Sequence, residues 1–281
     1  MRALIAVFLL LSVLLAVGPA RGERPAGIEV APGVVAPLPA ATIRFDRDQD
    51  TAALRPLAGT IAWERFSAGS VSAPVAIVIE PFPADGPRLG HRVHTAFTLH
   101  APLERMRTDE TLRRSLDAGD DREGTQARPL TIEELEEAGI TGMAEGDRPV
   151  FLDLLLLNRV RIRGVVRATA TEHPDGLEVG WDFDPRFAEH PRWRPTWARL
   201  EETDLGTRVE GMPQPYGGSG GVVAVRKIAS ADGTELVVVE SRMVIGEPQE
   251  WFQGSNLLRS KIPIITQDGV RTLRRRLASA R

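Results

Sequence analysis

The sequence predicts an α+β domain: a curved antiparallel β-sheet of about seven strands wrapped around a C-terminal amphipathic helix, with an N-terminal extension ahead of it. Three observations predict it. Stretches of alternating apolar and polar residues, separated by turn residues, recur from 160 to 245, as consecutive antiparallel strands require. One long segment of helical periodicity follows the last of them. A sheet with one apolar face must bury that face against something, and this helix is the available cover. An all-β sandwich or barrel with peripheral helices is the competing architecture, on turn spacing alone.

The chain opens with Arg2 and an apolar run over 3–17 that ends at Gly18 and Pro19, short of the roughly 20 residues needed to span a bilayer. Small residues frame two cleavage positions, Gly18 with Ala20 and Ala20 with Gly22. Residues 1–22 are therefore expected to be a signal peptide, and the mature chain to be exported, periplasmic or extracellular. An uncleaved N-terminal anchor is the other reading, since Arg21, Glu23 and Arg24 follow closely. No later segment is apolar enough to span a membrane, so no transmembrane span is expected in the mature chain. The sequence has no cysteine, which excludes disulfides and a lipid-modified N-terminal cysteine, and leaves a buried core as the source of stability. A formal net charge of −3 argues against an electrostatic nucleic-acid binder.

Residues 23–59, rich in Pro, Ala, Gly and Val, read as an extended linker or poorly ordered N-terminus. Over 60–90, apolar stretches at 61–63 and 75–79 read as additional strands at the edge of the sheet. The main domain is expected over 91–281. Its first strand, 92–99, sets Val93, Thr95, Phe97 and Leu99 on one face and His94, Ala96 and Thr98 on the other. Pro102 opens one helix or two over 103–116. An acidic insertion spans 117–149; its 117–147 part holds ten carboxylates against two arginines, and Thr131 with Glu134 forms a capping box ahead of a short helix stopped by Gly139. The apolar run 150–157 fits helix or strand. Six antiparallel strands follow, the first two joined by a turn at His173, Pro174, Asp175 and Gly176. The final helix is expected over 263–280, with Ile265, Val270, Leu273 and Leu277 near one face.

A strand, one or two helices, a run of antiparallel strands and a long last helix is an order that resembles the START-like, or polyketide-cyclase-like, superfamily. The resemblance covers about residues 90–281 and rests on element order, not on a short motif. It implies a helix-grip fold, with a cavity between sheet and final helix for a lipid, sterol, polyketide or other apolar ligand. The acidic insertion, the strands before Arg92, and the Gly269 and Pro263 of the last helix depart from the pattern.

Chemistry-bearing constellations are few. Ser219 sits in a literal Gly-x-Ser-x-Gly pattern, but the stretch leads into a strand, whereas a nucleophile elbow leads into a helix; a flexible hairpin connection able to gate a cavity is the expectation. His94 and His100 share a strand face about 20 Å apart, too far for one metal ion, and the three histidines His91, His94 and His100 read as solvent-facing. Glu178 and Asp182 alternate with Trp181 and Phe183, which sets the carboxylates toward solvent and the aromatics inward. Trp181, Phe183, Met243 and Ile245 are the cavity candidates, because inward aromatics and an adaptable methionine suit an irregular apolar ligand. Arg192, Trp193, Arg194 and Trp197 interleave cations and aromatics, as a stacking loop or a rigid cover would.

Three functions follow as expectations. The first is an exported soluble binding protein for a hydrophobic or amphipathic small molecule, a possible lipid, with no metal, no other cofactor and no catalytic residue. The second is a cyclase- or hydrolase-type enzyme acting in the same cavity, with Asp182, His190 and Arg226 as candidates. The third is an interaction domain with a filled core and exposed apolar residues around Trp251, Phe252 and Leu257.

Overall fold

The computed structural model describes residues 27–104, 126–141, 149–202, 208–229, 235–252 and 255–279. The signal-like segment 1–22, most of the helical stretch 103–116 and the turns at 204–206 and 231–233 lie outside them.

The chain begins with a hairpin, β1 (Gly27–Ala31) and β2 (Val34–Pro37), followed by two single-turn helices, α1 (Thr51–Leu54) and α2 (Trp63–Phe66). Then come β3 (Ala76–Phe82), β4 (Gly90–Leu99), β5 (Gln126–Pro129), α3 (Ile132–Glu137) and β6 (Val150–Leu156). The strand-rich half holds β7 (Val160–His173), β8 (Gly176–Phe183), β9 (Thr196–Glu202), β10 (Arg208–Glu210), β11 (Gln214–Pro215), β12 (Ser219–Ala229) and β13 (Glu235–Gly246), and α4 (Leu257–Ser279) ends the chain.

Eleven strands form one antiparallel sheet in the order β10-β9-β7-β8-β12-β13-β4-β3, with β5, β6 and β11 attached at β7 and β9. The expectation of about seven is corrected, because β3 extends the β4 edge, the ambiguous run 150–157 holds the strand β6, and the short β5 and β11 pair with β6 and β9. Its hairpin to β7 turns through Leu157 and Asn158, both at positive φ (52° and 56°), and only Asn158 is a residue that favours this conformation. The six strands are not a simple meander. β7 is 14 residues long, and pairs with β8 over Val166 to His173 and with β9 over Val160 to Arg163, so β8 lies directly against β12. The stretch 61–63, expected as a strand, instead leads into α2.

α4 starts at Leu257, six residues before its expected start, and runs through Pro263 and Gly269. Its Leu258, Ile262, Val270, Leu273 and Leu277 are buried with Val93, Phe97, Leu99, Val223, Val239 and Met243 of the sheet. The other face is buried too, which corrects the linker expectation for 27–59. Ile43, Leu54, Leu57 and Phe66 pack with Ala96, Ala224, Ile228, Leu236 and Val238, the set of side chains that alternation alone sends toward water.

This second interface is built from side chain to backbone. Glu240, fully buried, accepts from the N–H groups of Thr42 (3.0 Å) and Ile43 (2.8 Å) and from His94 Nε2 (2.8 Å). Arg242 donates to Pro39 O, and Arg226 to Arg44 O and Arg47 O. Carbonyls of a strap that belongs to no ladder need donors, and the sheet supplies them as guanidinium groups. The glycines of the Ser219 pattern also serve this packing: a Cβ on Gly217 would lie 2.1 Å from Val30 O, and one on Gly218 2.5 Å from Glu29 O. The loop is held against β1, which corrects the expected flexible connection.

Candidate functional site

The sheet face toward α4 is organised in cross-strand rows. Trp181, Gly221, Met243 and Val93 are neighbours in register on β8, β12, β13 and β4, and Ser219, Ile245 and His91 form the next row outward. Phe183 follows Trp181 by two residues, so the four sequence candidates Trp181, Phe183, Met243 and Ile245 share one face at one end of the sheet. All four belong to or pack against the main core. Gly221 lets Met243 pack closely across the strand pair: a Cβ there would stand 2.8 Å from Met243 Cβ.

An aromatic group that sequence reading did not assemble closes this end. Tyr216 stacks on Trp251 (5.4 Å, 23°) and meets Phe183 edge-on at 5.5 Å, while Trp251 contacts Trp197 and Phe252 at 6.1 Å each. Trp251 and Phe252 are buried, so the exposed apolar patch expected around them is absent. The Tyr216 hydroxyl donates to Gly246 O and pairs with Ser219 Oγ, and burial pushes its pKa up. A cleft of about 490 Å³ is lined by Phe183, Tyr216 and Ser219 together with Ile28, Val35 and Glu189.

The middle of the interface carries hydroxyls without partners. Thr95 and Ser241 are paired in register, facing α4, one row in from Val93 and Met243. α4 tracks β4: Arg88, just before the strand, bonds Asn256 and Ser255 O before the helix, and Arg274 near its end bonds Thr98 O. Thr266 lies between the buried Ile262 and Val270, four residues from each, and so on the face of α4 that packs on the sheet. Thr95, Ser241 and Thr266 are 3, 3 and 2 % exposed, and the hydroxyl of each has no hydrogen-bond partner among the described residues. The indole nitrogens of Trp181 and Trp251 are likewise unpartnered. His91, fully buried, has Nε2 2.7 Å from Glu247 Oε2, but the angle does not make a hydrogen bond.

The remaining candidates are placed elsewhere. His91, His94 and His100 are not solvent-facing: His94 is bound to Glu240 and His100 Nε2 sits 2.8 Å from Ser67 O. Glu178 is buried 3.8 Å from Arg242, whereas Asp182 pairs with Arg167. His190 Nδ1 accepts from the N–H groups of Arg192 and Trp193, which uses it to shape its loop. Asp182, His190 and Arg226 therefore belong to three separate contacts and do not converge. Trp193, 2 % exposed, lies under Arg192 and against Phe151 in a small core with Leu130, Leu135 and Phe187, so the Arg–Trp loop is a cover over the acidic insertion's helix α3. Among the described residues no group of three or more His, Asp or Glu is arranged to hold a metal ion, and no helix is long and apolar enough to cross a membrane.

Neither a protein-family model nor a curated protein matches this sequence. Among solved structures it is similar to a human StarD13 (DLC2) lipid transfer and protein localization domain, at 11% identity over 70% of this chain and 84% of that one, with a TM-score of 0.38. It is also similar to an uncharacterized protein from Rhizobium leguminosarum, at 10% identity over 72% of this chain and 98% of that one, with a TM-score of 0.31. At such low overlap neither neighbour says what this chain binds.

Proposed function

We propose that this chain is an exported binding protein that holds a hydrophobic or amphipathic small molecule between its sheet and α4, with Trp181, Phe183, Met243 and Ile245 at one end of the site. One observation carries the reading. Three hydroxyls and two indole N–H groups are buried in and beside the sheet–helix interface without a hydrogen-bond partner among the described residues. A buried polar group left unpaired costs about 1–3 kcal/mol, so five of them in one layer point to an occupant that satisfies them. An amphipathic molecule with a hydroxyl, carbonyl or ether oxygen near its middle does this while its apolar parts meet Val93, Phe97 and Val239. The element order on which the START-like resemblance rests is compatible with the reading, and export rests on the composition of residues 1–22.

The test is to express the chain from Arg24 onward, purify it without detergent, and compare native mass with the mass of the organic extract. The expected result is a co-purified apolar or amphipathic species, or saturable uptake of a fluorescent fatty acid, that weakens at least tenfold in Trp181→Ala and in Met243→Ala. An empty protein that takes up no apolar probe overturns the proposal and leaves an interaction domain with a filled core.

A further inference from the structure

Arg274 is a buried cation without a counter-charge among the described residues. It is 8 % exposed, and its partners are carbonyls: Nε bonds Thr98 O at 3.1 Å, and Nη1 bonds Ala73 O at 2.5 Å and Val71 O at 3.5 Å. Its Nη2 is buried with no partner. Among the described residues no carboxylate lies within ion-pair range of it. Burial, with Arg271 adding repulsion, pulls its pKa down to about 10, the direction a desolvated and uncompensated cation takes.

The guanidinium lines a cavity of about 90 Å³ together with Ala68, Gly69, Ser70, His100 and Ala278, room for roughly three waters or one oxyanion. Gly69, Ser70 and Ala278 are exposed, so the cavity is open to solvent. Gly69, Ser70 and Val71 donate no backbone N–H to any other described residue. Three consecutive lining residues whose backbone N–H groups bond no other described residue, together with the charge of a guanidinium that has no carboxylate partner among them, favour an acceptor that carries negative charge. Arg271, whose pairing with Asp268 is long at 3.4 Å, adds to the local positive potential.

From this geometry we infer that the pocket between the 68–73 loop, the end of β4 and the last turns of α4 is a binding site for a small oxyanion, a phosphate or a carboxylate group, held by Arg274 and the loop N–H groups. It lies at the opposite end of α4 from Trp181 and Met243, and stands whether or not the sheet–helix interface takes a ligand.

The experiment uses the chain from Arg24 onward with inorganic phosphate and acetate as probes, against chloride at matched ionic strength. The melting temperature is expected to rise saturably with the oxyanion, by roughly 5 °C at a hundredfold excess over Kd, and the side-chain resonances of Arg274 to shift with the same midpoint. Removing Arg274 can unfold the end of α4, so the second arm is Ala278→Glu, which adds a carboxylate at the exposed rim. It is expected to raise the melting temperature in chloride and to reduce the phosphate response at least fivefold. Dodecanoate distinguishes the source. If it binds more than tenfold tighter than acetate, and Met243→Ala removes that advantage, the oxyanion is the head of a longer ligand; equal binding identifies a free anion, and both support the site. No oxyanion response beyond that of chloride, or one undiminished in Ala278→Glu, overturns it.

Discussion

The two faces of the central strands bury polar groups in opposite ways. On the face toward the N-terminal strap, Glu240, Arg226 and Arg242 are each matched to named backbone atoms, and the layer is held by charge-assisted hydrogen bonds. On the face toward α4, Thr95, Ser241 and Thr266 are as deeply buried and matched to nothing. The strap side is tied together by bonds that cross the interface, whereas the three hydroxyls of the α4 side cross it without one among the described residues. The difference teaches that the strap is part of the fold, and it marks the helix-covered face as the one to which the proposal assigns a ligand. It is open to direct attack by substitution on each face.

The largest effect is expected at Glu240. Glu240→Ala strands the N–H groups of Thr42 and Ile43 and the imidazole of His94 in a covered layer, and is expected to cost about 3 kcal/mol in urea unfolding. The peptide bonds near Arg44 and Arg47 should at the same time become sensitive to trypsin. Arg226→Met removes the donors to those two carbonyls and should cost about 2 kcal/mol with the same proteolytic signature. A loss below 0.5 kcal/mol in both would make the strap an accessory and dissolve the contrast between the faces.

The same carboxylate sharpens the comparison through pH. Burial pushes the pKa of Glu240 up, but His94 and the N–H groups of Ile43 and Thr42 outweigh it and hold the group below the ordinary carboxylate value. Its folded value is thus lower than its unfolded one, about 4.3. The stability it contributes is present above pH 4.3 and is lost as pH falls through the folded value. Strap release, followed by tryptophan fluorescence of Trp63, is expected on acidification below the ordinary carboxylate range. Glu240→Gln should flatten that limb without changing the neutral end of the curve by more than the lost ion pair.

Much of this was legible in the sequence, for reasons that separate local from distant causes. The alternation of Val93, Thr95, Phe97 and Leu99, the turn at Pro174 and Asp175, and the capping box of Thr131 and Glu134 are all decided within a few residues, and each stands in the structure where the pattern puts it. The strap was illegible because its partners are distant: Ile43 is held by Glu240, 197 residues away, and no window of Pro, Ala and Gly contains that information. The error propagated. With 27–59 read as a linker, Glu178 and His94 became solvent-facing, although the assignment of faces was sound. At the candidate site, Trp181, Phe183, Met243 and Ile245 were readable from period-two alternation. Tyr216 and Trp251 were not, since they come from irregular segments whose inward direction only the fold decides.

A smaller effect tests whether the acidic insertion belongs to either face. Thr131 caps α3 by accepting from the Glu134 N–H, and Glu134 is bound by both nitrogens of Arg128, which holds its carboxyl down at about 2. Thr131→Ala is expected to cost about 1 kcal/mol, read as faster amide exchange over 132–138. The strap and the α4 interface should show no change. Exchange that spreads to β12 and β13 would mean that the insertion supports the central strands and is not a module of its own over Trp193.

The smallest effect is the most discriminating, because its sign differs between the faces. Thr95→Val, Ser241→Ala and Thr266→Val each delete a hydroxyl that bonds no protein atom, two of them at nearly constant volume. In the ligand-free protein each is expected to be neutral or to stabilise by up to about 1 kcal/mol, since an unsatisfied polar atom leaves a dry layer. Ligand retention should fall with each substitution, so stability and binding move in opposite directions. At Glu240 and Arg226 no such opposition exists, as the same bonds serve fold and strap alike. If the three hydroxyl deletions instead destabilise by more than 1 kcal/mol each, ordered waters already satisfy them. The face under α4 would then be a finished interface like its opposite.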